Sequence, residues 1–110
     1  MSNFNKNRNI LMEDLRGGIK RQILGYESQL MLVRVYFDKG AVGAVHNHPH
    51  QQVSFVEKGC FEVTINDKTE ICDAGDCFTV PSDVKHGVVA LEEGILVDGF
   101  SPAREDFFKK

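Results

Sequence analysis

The chain has 110 residues, 42% apolar and 26% charged, and carries a net charge of −3 from 13 basic and 16 acidic side chains. This is the length of a single domain spanning residues 1–110, and the composition is too apolar for a disordered chain. The mild acidity argues against nucleic acid or a membrane surface as the main partner, and no apolar run approaches the roughly 18 residues of a membrane span.

Residues 1–9 are polar and read as a flexible arm without the apolar core of a signal peptide. Residues 10–18 fit either a short strand or a helical turn stopped by Gly17-Gly18. From there the pattern is strands separated by turn signals. Lys20–Leu24 precedes a turn near Gly25, and Leu30–Phe37 closes at Asp38-Lys39-Gly40. Ala41–Asn47 follows, and Gln52–Glu57 leads through Lys58-Gly59 into Cys60–Ile65. There Phe61, Val63 and Ile65 alternate with polar residues, the period of a half-buried strand. Asn66-Asp67-Lys68 predicts a hairpin turn into Thr69–Cys72; Asp73-Ala74-Gly75-Asp76 turns again into Cys77–Val80. Gly87–Leu91 and Ile95–Phe100 read as a last hairpin around Glu92-Glu93-Gly94, and the charged tail 101–110 reads as a short helix. The class is all-β, a sandwich or barrel.

Cys60, Cys72 and Cys77 make an odd set that suits reduced thiols in a cytoplasmic protein rather than a disulfide framework. Cys72-x4-Cys77 lacks the second pair a structural zinc site needs, so the three are read as small buried hydrophobes.

The chemistry concentrates in the histidines. His46, His48 and His50 fall within five residues, and His86 stands apart. Residues two apart on a strand share a face, so His46 and His48 can aim two imidazoles at one point, the commonest donor for zinc, copper, iron and nickel. His50 has the same parity, but Pro49 interrupts the strand and His50 is read as a non-ligand.

The stretch from Gly40 to Gly59 reads Gly-x5-His46-x-His48-x3-Gln52-x6-Gly, and a second reads Gly75-x5-Pro81-x-Asp83-x2-His86. Together they resemble the two motifs of the cupin superfamily. That resemblance implies a double-stranded β-helix, or jelly-roll barrel, and one divalent transition metal ion (nickel, zinc, iron or manganese) held by His46, His48, Gln52 and His86. The family's usual ligand Glu is here Gln52, its usual glycine after the proline is Asp83, and its Asn-like end of the second motif is Ala90. Three imidazoles and an amide leave a dication uncompensated, which favours Lewis acidity and anionic ligands.

The segments Gly17-Gly18-Ile-Lys-Arg21-Gln-Ile-Leu-Gly25-Tyr and Gly94-Ile-Leu-Val-Asp98-Gly-Phe100-Ser-Pro-Ala-Arg104-Glu-Asp-Phe107, with His-Pro-His-Gln-Gln, are similar to the small cupins of pectin and alginate catabolism, the KdgF type. Those enzymes convert cyclic 4,5-unsaturated uronates to linear keto sugar acids. The resemblance implies catalysis by Asp98 and binding of a small anionic sugar acid by Arg104 and Phe100. Asp98 shares a strand face with Leu96 and Phe100, which would raise its pKa if buried. Arg104 offers a two-pronged grip on a carboxylate, or pairs with Glu105 or Asp106. Phe100 stacks on the sugar or fills the core. A homodimer formed through sheet edges is expected. The alternatives are another metal-dependent cupin enzyme, a dioxygenase or sugar isomerase, and a small-molecule-binding cupin without turnover.

Overall fold

The computed structural model describes residues 2–108. Its strands are β1 (Glu13–Asp14), β2 (Ile19–Glu27), β3 (Leu30–Phe37), β4 (Val42–His46), β5 (Gln51–Lys58), β6 (Cys60–Ile65), β7 (Lys68–Asp73), β8 (Cys77–Val80), β9 (His86–Ala90) and β10 (Gly94–Ser101). They form two antiparallel sheets, one six-stranded in the order β1-β2-β3-β10-β5-β8 and one four-stranded in the order β4-β9-β6-β7. This is the expected all-β jelly roll. No helix among the described residues is long and apolar enough to cross a membrane.

The alternating pattern places one face of each strand inward. In β5, Gln52, Ser54 and Val56 are buried while Val53, Phe55 and Glu57 are exposed; in β10, Leu96, Asp98 and Phe100 are buried. Asn66 and Asp67 take positive φ values of 50° and 68° between paired Ile65 and Lys68, the two-residue hairpin turn read from the sequence. The ambiguous segment 10–18 contains β1, whose Glu13 lies opposite Arg21 of β2. The described part of the tail contains a 3-10 turn, Glu105–Phe108, and positions 109–110 of the expected tail helix lie outside the described residues.

The expected last hairpin is not formed. β9 pairs with β4 and β6, whereas β10 pairs with β3 and β5 in the other sheet. Glu92-Glu93-Gly94 is therefore a corner between sheets, and so is Lys58-Gly59 between β5 and β6. Two strand-like runs around a turn look alike in both cases; the pairing partners on both edges of β9 and β10 decide. Gly59 sits at this corner with φ +88°, and a Cβ there would lie 2.6 Å from the Glu93 carbonyl oxygen. The cysteine reading also needs correction. Cys60 and Cys72 are half-buried, but Cys77 is exposed, on the outward parity of β8.

The core between the sheets contains Phe37, Val56, Phe61, Val63, Phe78, Val80 and Leu96, with the Phe37 and Phe61 rings edge-on at 5.1 Å. A second cluster, Met31, Val33, Phe100 and Ala103, carries the C-terminal segment against β3. Beside this packing lies a cavity of about 240 Å³ that His46, Gln52, His86, Asp98, Phe100 and Arg104 help to line.

Candidate metal centre and active site

His46 ends β4 and His86 begins β9, directly opposite in register. His48 reaches the same point by another route than strand alternation, because β4 stops at His46 and His48 lies in the connection to β5. The Pro81–Asp83 turn holds that connection: the Asp83 N–H donates to the His48 carbonyl at 2.8 Å and the Ser82 hydroxyl to the Pro49 carbonyl at 2.6 Å. Asp83 has φ +63°, which explains the glycine usual at this position, and aspartate is among the residues that tolerate it.

Each histidine Nδ1 lies 2.9 Å from a backbone carbonyl: His46 to Ala44, His48 to His50 and His86 to Val84. A carbonyl only accepts, so each Nδ1 carries a proton, and in this tautomer a ring without a second proton presents an Nε2 lone pair. The three donor atoms lie within 4.8 Å of one another. Burial foremost lowers the pKa values of His48 and His86, which keeps both neutral. The His86 Nε2 is buried without a partner. The His48 Nε2 faces the Gln52 Oε1 at 3.1 Å, two acceptors with no proton to share. Converging lone pairs of this kind fit a bound cation. The donor set suits nickel, zinc, iron or manganese. His50 is outside the group; its ring packs on His48 at 5.5 Å.

Gln52 connects this centre to Asp98. Its amide N–H donates to the Ser54 hydroxyl at 2.8 Å, and that hydroxyl donates to the Asp98 Oδ1 at 2.6 Å. The hydrogen bond to Ser54 fixes which end of the amide turns to the histidines. Strand pairing places Asp98 in one row across the six-stranded sheet with Val33, Ile23, Ser54 and Phe78. Burial in this row pushes its carboxyl up to about 6, against the opposing pull of the Ser54 hydrogen bond and the Arg104 charge.

Arg104 is buried near this carboxylate, with its guanidinium carbon 5.2 Å from the Phe100 ring centre and 4.3 Å from that of Phe107. Its Nε and Nη2 bind both oxygens of Asp106, at 3.0 and 2.7 Å, and these bonds hold the Asp106 carboxyl below its usual range. Of the two expected uses of Arg104, the pairing with Asp106 is formed, so its side-on fork is already occupied, and the guanidinium still lines the cavity. Phe100 belongs to the core and also walls the cavity.

The structure thus brings all seven expected residues together. Ser54, Phe107 and Arg21 are additional, and Asp106 is one of the two partners expected for Arg104. Ser54 is legible as the next inward position after Gln52 on β5; Arg21 is an arginine on the inward parity of β2, between Ile19 and Ile23.

The cupin domain family matches residues 33–97. The pectin degradation protein KdgF of Dickeya dadantii (strain 3937) is 46% identical over 97 residues, 86% of this chain and 88% of its own length. An RmlC-like cupin from Shewanella frigidimarina NCIMB 400 superposes with a TM-score of 0.94 at 48% identity, covering 97% of this chain and 96% of that one. KdgF from a Halomonas species superposes at 0.91 with 38% identity, covering 97% and 99%.

Proposed function

The chain belongs to the cupin family, and from that premise we propose that it is a metal-dependent isomerase that opens 4,5-unsaturated uronate monomers and tautomerises them to linear keto sugar acids. One observation carries this reading: the Gln52–Ser54–Asp98 hydrogen-bond chain joins a cluster of imidazole lone pairs to a buried carboxylate that changes charge near pH 6. The two relatives named KdgF, one of them called a pectin degradation protein, support the substrate class.

The reaction is an internal proton transfer. Ser54 occupies the Asp98 Oδ1 and leaves Oδ2 as the oxygen that moves a proton. The Asp98 carboxylate takes the proton of the anomeric hydroxyl. The bond from the anomeric carbon to the ring oxygen breaks, leaving an aldehyde at C1 and an enolate at C5. Asp98 then returns the proton to C4, and the C5 ketone results with no net change of atoms. A pKa near ambient pH suits a group that first accepts and then donates. Arg104 holds the substrate carboxylate, and Phe100 and Phe107 exclude water from one side. His46, His48, Gln52 and His86 would hold a divalent metal, which would supply Lewis-acid stabilisation of developing negative charge.

The test is the ultraviolet absorbance of the conjugated alkene when unsaturated galacturonate is added. It should disappear with wild-type protein and persist with Asp98→Asn or with metal-stripped protein. Undiminished activity in either would overturn the scheme.

A single domain over residues 1–110, a cytoplasmic setting and a homodimer belong to the same proposal. Free Cys60, Cys72 and Cys77 suit a reducing compartment. Exposed Leu32, Val53 and Phe55 form an apolar outer face on the six-stranded sheet that a second copy would cover, which light scattering at several concentrations checks.

A further inference from the structure

Arg21 is a second guanidinium of the cavity. Strand register places it on the inward face of β2, in the row of Val35, Leu96 and Val56. Its side chain is 12% exposed and lines the same cavity as Asp98, His86 and Arg104. A buried arginine needs a counter-charge, and Glu13 of β1 supplies it at the directly opposite position: Nε and Nη2 bind the two carboxylate oxygens at 3.2 and 3.1 Å. Its guanidinium carbon lies 4.1 Å from the centre of the Phe107 ring.

Arg104 is held in the same manner. Asp106 takes its Nε and Nη2, and the same Phe107 ring packs at 4.3 Å. Two arginines, each neutralised on one edge by its own carboxylate, thus meet on one aromatic ring at one cavity. Among the described residues nothing accepts a hydrogen bond from Nη1 of either one. Pre-paid pairing fixes both guanidiniums before a ligand arrives, which lowers the entropy cost of binding.

The strand order separates this pair from the metal ligands. Gln52 on β5 and Arg21 on β2 stand three strand spacings apart and four residues apart along the strand direction, roughly 19 Å in all, with Asp98 on β10 between them.

We propose that Arg21, held by Glu13 and stacked on Phe107, binds the substrate carboxylate together with Arg104, so that the acid group is gripped by two guanidiniums while the anomeric end lies toward Asp98. Glu13 is the positioning residue. The short strand β1 is thereby part of the binding site. This inference rests on the proposed uronate chemistry, and its test separates the two.

The experiment uses metal-loaded, full-length protein. Binding of D-galacturonate and of D-galactose, which lacks the carboxylate, is measured by calorimetry, and steady-state kinetics are measured with unsaturated galacturonate. Wild-type protein should bind galacturonate and not galactose. Arg21→Gln should weaken galacturonate binding and raise KM about tenfold or more, with kcat changed less than about threefold. Arg21→Lys keeps the charge and the Glu13 partner and guards against misfolding; it should raise KM less. Glu13→Gln should raise KM at unchanged kcat, because it loosens the guanidinium without touching substrate. Unchanged KM and galacturonate affinity in Arg21→Lys and Arg21→Gln, with only a lowered Tm, would make the pair structural and overturn the inference. The same holds if wild-type protein does not bind galacturonate. If wild-type protein binds galacturonate but leaves unsaturated galacturonate unchanged, the uronate reading fails while the binding comparison still decides on Arg21.

Discussion

At Asp98, burial raises the carboxyl pKa while the Ser54 hydroxyl and the Arg104 charge pull it down; burial wins and the value settles at about 6. Because the folded-state pKa lies above the unfolded one, the native state holds the proton more tightly. This group's contribution to stability is therefore full in acid, falls as pH rises from about 4 to about 6, and is flat above. Asp98→Asn, which can still accept from Ser54, should stabilise the metal-free protein at pH 7.5 by up to about 3 kcal/mol, and the gain should vanish near pH 3.5. Urea unfolding at the two pH values checks this. Activity has the opposite sign. It needs the carboxylate, so wild-type kcat/KM should fall on the acid side at or below about pH 6, a bound dication drawing the value downward. Gln52 shows why an amide stands where the motif usually has a carboxylate. Glutamate could not donate to Ser54, whose one proton would then be shared between two carboxylates. Gln52→Glu should therefore retain metal, move the acid limb of the pH–rate profile upward and lower kcat at pH 7 about tenfold. Metal analysis beside the pH–rate profile separates this from loss of the ion.

The strands themselves were largely legible. β3, β6 and β8 begin and end where alternation and turn residues put them, β5, β7 and β10 gain one residue at each end, β4 is one residue shorter at each end, and β9 is shifted by one. The turn expected near Gly25 is not formed: β2 bulges there and stays paired with β3 to Glu27. The partner of each strand was not legible. The turn at 66–67 closes a true hairpin, whereas the turn at 92–94 passes from one sheet to the other, and both are short polar segments containing residues suited to turns. Close packing at the corner decides the second case. Gly59→Ala would set a Cβ at 2.6 Å from the Glu93 carbonyl oxygen and 2.8 Å from the Gly94 Cα, at a φ of +88°. It should cost about 2–3 kcal/mol, read as a lowered urea midpoint at unchanged slope. The two-residue strand β1 was the least legible element. It is too short to show a period, and it is fixed by the Glu13–Arg21 pair.

For the whole molecule, the candidate metal centre bridges the sheets. His46 and His86 come from the four-stranded sheet, Gln52 from the six-stranded one, and His48 from the connection between them. A ligand that binds only the folded state stabilises it, by about 2.7 kcal/mol at a hundredfold excess over its Kd. Chelation should then lower Tm by about 10 °C or more in a chain of this size, and re-addition of metal should restore it. His48→Ala should show no metal-dependent shift, which calorimetry of both proteins checks. The sequence by itself determined what depends on residue type and local spacing. The all-β class and most strand positions follow from alternation and turn residues, and the three histidines with Gln52 from two spaced motifs; Asp98 and Arg104 were implied by the resemblance of the terminal segments to the KdgF-type cupins. Tertiary structure alone decided the contacts between distant elements. It placed His48 through the Pro81–Asp83 turn rather than strand parity, and linked Gln52 to Asp98 through Ser54. It also made Arg21 a cavity residue. A one-dimensional pattern encodes which face a side chain takes, but which residues meet across that face depends on the register and order of strands far apart in the chain.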